Sequence, residues 1–143
     1  MPYRFLEEEA TADLALEAWG KDLAELFRAA ADAVAHAMIE DLERIEARET
    51  VALELEDDAL DLLLFNFLQR LVYYKDAELL LLRVPDVATE RADGRWRLRA
   101  RARGERLDAL RHRQRVDVKA VTLHRFRLEQ DPEGWRAFVI LDV

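Results

Sequence analysis

The sequence predicts an α+β fold: a two-layer domain with two helices packed on a largely antiparallel sheet. Three observations carry this expectation. Apolar residues alternate with period two in several separate stretches, and two longer stretches switch to the helical period. Tight turns at Asp93-Gly94 and at "DPEG" (131–134) join neighbouring alternating stretches as hairpins, which make strands antiparallel. The order is strands, helix, strand, helix, then a run of strands, with no internal repeat or low-complexity linker. The 143 residues therefore read as one domain, 1–143.

Taken in order, "YRFLE" (3–7) is a short strand. "ADLALEAW" (12–19) alternates so that Leu14, Leu16 and Ala18 lie opposite Asp13, Ala15, Glu17 and Trp19, and Gly20 ends it. "DLAELFRAAADAVAHAMIEDLE" (22–43) is helical, with Leu23, Leu26, Phe27, Ala30, Val34, Met38 and Leu42 on one stripe. Asp22 and Glu25 form its N-cap and capping-box acid. "TVALELE" (50–56) is a strand, after which Asp58 caps a second helix, "ALDLLLFNFLQRLVYYKD" (59–76). That helix is apolar around most of its circumference and is expected to be largely buried. "AELLLLRVPDVATE" (77–90), "RWRLRARAR" (95–103), "VDVKAVTLHRFRLEQ" (116–130) and "WRAFVILDV" (135–143) complete the strand run, the last two as a closing hairpin.

Composition narrows the chemistry. With 22 basic and 30 acidic residues the formal net charge is −8, which argues against general nucleic-acid binding. The absence of cysteine excludes thiolate nucleophiles, disulfides and cysteine-ligated metals, so any metal must take oxygen or imidazole ligands. Neither an apolar signal-peptide core nor a membrane-length apolar run occurs, and the chain is expected to be cytoplasmic and to have no membrane partner. Four glycines, no phosphate loop, no nucleophile elbow and only His36, His112 and His124 leave an autonomous enzyme unsupported, and His36 reads as a packed or helix-surface residue.

Two charge features stand out. Arg95, Arg97, Arg99, Arg101 and Arg103 share one face of a strand whose other face carries Trp96, Leu98, Ala100 and Ala102. This ladder is either a solvated face neutralised by the excess acids or a surface for RNA or an RNA enzyme. Asp13 and Asp142 lie far apart in sequence, each in a strand at an end of the fold where neighbouring strands can bring them together. Carboxylates meeting at a sheet rim repel, and a hard cation such as calcium or magnesium relieves that repulsion; solvated strand-end aspartates are the alternative.

Three segments then carry a resemblance: "YRFLEEEATADLALEAWGKDLAELFRAAADAV", "NFLQRLVYY" followed by "DAELLL", and "VDVKAVTLHRF" leading to "VILDV". In order and spacing over essentially the whole chain, they resemble the archease family. The resemblance implies a protein cofactor of the GTP-dependent RNA ligase that joins 2′,3′-cyclic-phosphate or 3′-phosphate ends to 5′-hydroxyl ends in tRNA splicing and RNA repair. It would stimulate ligase guanylylation and multiple turnover through acidic residues around a divalent metal, calcium being the expected ion, and would meet RNA only through the ligase. By the same resemblance Asp13 and Asp142 are the metal aspartates, Val143 lends a backbone or terminal carboxylate oxygen, and Lys119, Thr122 and His124 border the rim or contact the ligase. One departure stands out: Ala10 occupies the place of the family's usual His, with Glu7, Glu8 and Glu9 as compensating oxygen donors. The competing reading is an RNA-binding or chaperone-like adaptor that uses the arginine face.

Overall fold

The computed structural model describes residues 2–6 and 13–143. Among these, the strands are β1 (Tyr3–Leu6), β2 (Asp13–Gly20), β3 (Glu49–Asp57), β4 (Leu80–Ala92), β5 (Arg95–Arg106), β6 (Ala120–Asp131) and β7 (Gly134–Asp142). The helices are α1 (Leu23–Met38) and α2 (Leu60–Glu78), with a short 3-10 turn at Leu42–Arg44. The class is α+β, as expected, with the strands divided into two antiparallel sheets. One runs β1-β2-β7-β6, the other β3-β5-β4.

The helices exchange the roles their sequences suggest. α1, expected to bury one stripe, is buried around most of its circumference because Ala29, Ala30, Ala31, Ala33, Ala35 and Ala37 are all inaccessible alongside Leu26, Phe27, Val34 and Met38. It packs against β2 of one sheet and β4 of the other. Alanine lets both sheets approach its axis closely, which long side chains would prevent. α2, expected to be largely buried, instead buries a single face with Leu63, Leu64, Phe67, Leu68, Leu71 and Val72, while Leu62 is exposed and Tyr73 is 57% exposed. Phe27 and Phe67 meet with ring centroids 5.5 Å apart and join the two helices.

Caps explain the boundaries. Asp22 is the α1 N-cap, its carboxylate accepting from the Glu25 N–H at 2.9 Å, and Glu25 accepts in return from the Lys21 N–H at 2.7 Å. The helix stops at Met38, short of the expected residue 43, because Ile39 turns extended and bridges Gln114. The carbonyls of Ala37 and Met38 then accept from the N–H groups of Val116 (3.1 Å) and Arg115 (2.9 Å), which satisfies the open helix end without further turns. Asp58, expected to cap α2, ion-pairs with Arg95 at 2.9 Å instead. Ala59 occupies the cap position, and the Asp57 carboxylate receives its N–H at 3.0 Å.

The strand readings hold with shifts at their ends. β6 starts at Ala120 rather than 116, since Arg115 and Val116 are engaged by α1. Asp93 and Gly94 have φ of 55° and 76°, the left-handed pair that a two-residue hairpin matched to strand twist requires. One hydrophobic core draws on both sheets and both helices. A small separate cluster of Ala15, Phe138 and Ile140, with Leu6 against it, covers the other side of the four-stranded sheet.

Candidate functional site

β2 and β7 run antiparallel with Asp13 directly opposite Asp142, Leu14 opposite Leu141 and Ala15 opposite Ile140. Directly opposed residues project from the same face. The two aspartates therefore share the face of Ala15, Phe138 and Ile140, away from the helices, while Leu14 and Leu141 turn toward the main core. No described cation lies within ion-pair distance of either carboxylate, and no cluster of three or more His, Asp or Glu side chains suited to a metal occurs among the described residues. The residue expected as His but found as Ala10, and Glu7, Glu8 and Glu9, lie outside the described residues. Val143 follows Asp142 directly, with its side chain packed against the main core.

The rim is held from its other side by β6. Ala120 is the β6 partner of Asp142, and the Lys119 N–H donates to the Asp142 carbonyl at 2.8 Å. Thr122 lies opposite Ile140, two positions from the rim on the aspartate face, and its hydroxyl donates to the Ile140 carbonyl at 3.1 Å. Lys119 is thus tied to the rim by its backbone and Thr122 serves the ladder. His124 is exposed in the irregular stretch between Thr122 and Arg127 and touches neither aspartate.

Sequence reasoning missed the residues that fix this segment. Gln69 of α2 accepts the Val121 N–H at 2.6 Å, and the buried Lys75 Nζ donates to the Val118 carbonyl at 2.8 Å and to Asp117 at 2.7 Å. Burial alone would lower the Lys75 pKa, but the hydrogen bonds it donates to Asp117 and Asp76 outweigh it and raise the value. α2 therefore clamps residues 117–121, the immediate neighbours of Asp142. Gln69 and Lys75 are two of several polar residues in α2, beside Asp61, Asn66, Arg70, Asp76 and Glu78, so nothing in the sequence singles them out.

The other charged features are internally matched to different degrees. Glu54, Glu56 and Asp58 pair with Arg99 (3.5 Å), Arg97 (3.2 Å) and Arg95 (2.9 Å), as the neutralised-face reading expects. Arg101 and Arg103 form no ion pair among the described residues; Arg103 faces Thr50 on one side and Arg83 on the other. Glu105, 3% exposed, binds Arg111 through a short ion pair, receives the Glu46 N–H at 2.5 Å and faces the Nε2 of His112 at 3.3 Å. Burial would push its carboxyl up, but Arg111, the Glu46 N–H and His112 hold it down at about 2. His112 Nδ1 accepts the Asp108 N–H at 2.9 Å, which leaves Nε2 as the protonated nitrogen that faces Glu105. No helix among the described residues is long and apolar enough to cross a membrane.

Comparison with known proteins agrees with the whole length of this architecture. The family model described as "Archease protein family (MTH1598/TM1083)" matches residues 3–143. The chain is 34% identical to Protein archease of Pyrococcus abyssi over 98% of this chain and 99% of that protein. It is 36% identical to Protein archease of Archaeoglobus fulgidus over the full length of both. The solution structure of Methanobacterium thermoautotrophicum protein 1598 superimposes with a TM-score of 0.85 at 31% identity, covering 99% of each chain. The crystal structure of a Thermotoga maritima archease, described as a possible chaperone, shares the fold with a TM-score of 0.65 at 18% identity over 96% of each chain. With a family match from residue 3 to residue 143 and full-length relatives above 30% identity, the chain belongs to the archease family.

Proposed function

We propose that this chain is a protein cofactor of a GTP-dependent RNA ligase that joins 2′,3′-cyclic-phosphate or 3′-phosphate ends to 5′-hydroxyl ends. In this reading it stimulates ligase guanylylation and multiple turnover in tRNA splicing and RNA repair, performs no catalysis by itself, and meets RNA through the ligase. The observation that carries the reading is the Asp13–Asp142 register in a chain that is archease from end to end.

The donor set fits a hard divalent cation, calcium first. Two opposed carboxylates and a main-chain oxygen of Val143 are all oxygen ligands; the nearest part of the same face is the apolar Ala15 and Ile140, while Arg125 and Arg127 stand over the Phe138 ring further along it, at 5.0 and 5.2 Å. Asp13 and Asp142 would hold the ion, and Glu7, Glu8 or Glu9 would add oxygens in place of the imidazole absent at Ala10. A bound cation supplies concentrated positive charge for ordering phosphate oxygens. The protein's own part is positional: β2 and β7 set the carboxylates opposite each other, and Gln69 and Lys75 of α2 keep the neighbouring β6 segment in place. The net charge of −8 suits approach to a basic RNA-binding cleft, so activation should weaken as salt rises.

The test is guanylylation and multiple-turnover ligation by the cognate ligase with wild type, Asp13→Ala and Asp142→Ala. Stimulation by wild type that both folded variants lose supports the reading; no stimulation by wild type overturns it. The adaptor reading predicts that Arg97→Glu with Arg99→Glu abolishes RNA binding. The pairing of both arginines with β3 acids weighs against that outcome.

A further inference from the structure

A second site lies at the opposite end of β2 and β7. The ladder that begins at Asp13–Asp142 ends at Gly20–Trp135, seven residue steps or about 23 Å away. There residues of both sheets and of the first half of α1 line a cleft of about 930 Å³, within the range of small-molecule sites. Its apolar surface comes from the buried Ala29, Ile45 and Val84 and from the half-buried indole of Trp135. A side chain at Gly134 would collide with the Gly20 carbonyl, so the turn before Trp135 is pinned to the start of the α1 segment.

The charges around the cleft are of two kinds. Asp32 is taken by a two-pronged bond from Arg83 at 3.1 Å, Asp131 bonds the turn N–H groups of Glu133 and Gly134, and Glu25 accepts the Lys21 N–H. Lys21, Arg28 and Arg103 line the same cleft and form no ion pair among the described residues. Arg103 stands beside Arg83, a like-charge neighbour that leaves it without local compensation. Arg136 at the same cleft pairs with Glu17 and Asp131, and Glu25 and Glu133 have no ion pair among the described residues, so three unpaired cations and a half-buried indole face two unpaired acids around one apolar floor, a set that suits a ligand aromatic at one end and anionic at the other.

We propose that this cleft binds a nucleoside phosphate, its base on Trp135 and its phosphates on Lys21, Arg28 and Arg103. The site needs neither Asp13 nor Asp142, and its occupancy does not depend on a metal at the far rim. A free nucleotide and the terminal nucleotide of an RNA strand offer the same chemistry.

The experiment uses the full chain with Trp96→Phe and with Trp19, which also lines the cleft, replaced by the still aromatic Phe, so that Trp135 is the one remaining tryptophan and is excited selectively, in EDTA. AMP, GTP, pyrophosphate, a ten-nucleotide oligoadenylate and a glutamate-rich peptide are the probes. Nucleotides should quench Trp135 and pyrophosphate should bind more weakly without quenching. Arg28→Ala and Arg103→Ala should each weaken nucleotide binding about tenfold while circular dichroism stays unchanged. Tighter binding of the oligoadenylate than of AMP assigns the site to a strand end, and equal binding assigns it to the free nucleotide. Absence of quenching at millimolar nucleotide overturns the proposal. So does equal affinity for pyrophosphate, insensitivity to both arginine substitutions, or preferential binding of the acidic peptide.

Discussion

Glu105 and the Asp13–Asp142 pair use the same functional group under opposite rules. Glu105 is buried and surrounded by partners, with Arg111, the Glu46 N–H and His112 all directed at one carboxylate. Asp13 and Asp142 sit at a strand end, directly opposite each other, with no described cation in reach. A buried carboxylate is retained only if its partners offset desolvation, so Glu105 belongs to the fold. Two carboxylates held together without a counter-charge contribute no such stability, and that unspent electrostatics is what a ligand can use. A carboxylate met by partners on every side serves the fold, whereas two opposed carboxylates with no described counter-charge are a candidate site.

The largest effect expected from breaking this contrast is at Glu105. Glu105→Ala removes the acceptor shared by Arg111, the Glu46 N–H and His112, leaving Arg111 with Glu46 and the Arg44 carbonyl and His112 with the Arg44 carbonyl, and should destabilise the protein by about 1–3 kcal/mol in urea unfolding at pH 7. A loss under 1 kcal/mol would show that the cluster is not structural. At the rim the effect should appear only with metal. Calcium at a hundred times its dissociation constant should stabilise wild type by about 2.7 kcal/mol, and Asp142→Asn should remove that gain without altering the metal-free melting curve by a comparable amount. Thermal unfolding in calcium and in EDTA measures both quantities. Equal calcium stabilisation of wild type and Asp142→Asn would move the ion elsewhere.

Acid titration sharpens the contrast further. The Glu105 carboxyl is depressed from 4.5 to about 2, so its contribution is fully present above the unfolded value and fades as pH falls from about 4.5 toward about 2. Glu105→Gln should lack that component, and its stability should fall less steeply across this window than that of wild type. Lys75 works in the alkaline direction: its pKa is raised above 10.5, so its contribution is present below that value and is lost as pH rises through the folded one. The smallest effect belongs to Asp13→Asn in EDTA. Removing one of two opposed like charges should leave stability unchanged or raise it by about 0.2–1 kcal/mol in urea unfolding. A clear loss would mean that Asp13 has a structural partner.

Much of the candidate site was legible because period-two alternation fixes which residues share a strand face. Asp13 and Asp142 were singled out as strand-end acids, and the arginine ladder with its buried Leu98, Ala100 and Ala102 side follows the same rule. What periodicity could not reach was partner identity. Asp58 has a capping residue's place in the sequence, yet Arg95 claims it because β3 and β5 run side by side. Glu105 continues the alternation of the exposed ladder and reads as a wet residue. The 107–113 segment folds over it and makes it the most deeply satisfied acid described. Lys75 and Gln69 look like the polar edge of α2, but they reach across to residues 117–121.

The sequence by itself determined the α+β class, the order of elements, the tight turn at Asp93-Gly94 and the faces on which aspartates and arginines lie, because backbone sterics and side-chain periodicity are local. Only the tertiary structure decided that the alanine-rich α1 is buried around most of its circumference between two sheets while the leucine-rich α2, which also touches both sheets, leaves one face exposed. Alanine carries little hydrophobic signal along the chain, and its value as a spacer exists only where two surfaces close on it. In the same way, register across residues more than a hundred positions apart set Asp13 against Asp142 and opened the Trp135 cleft at the other end of the same two strands.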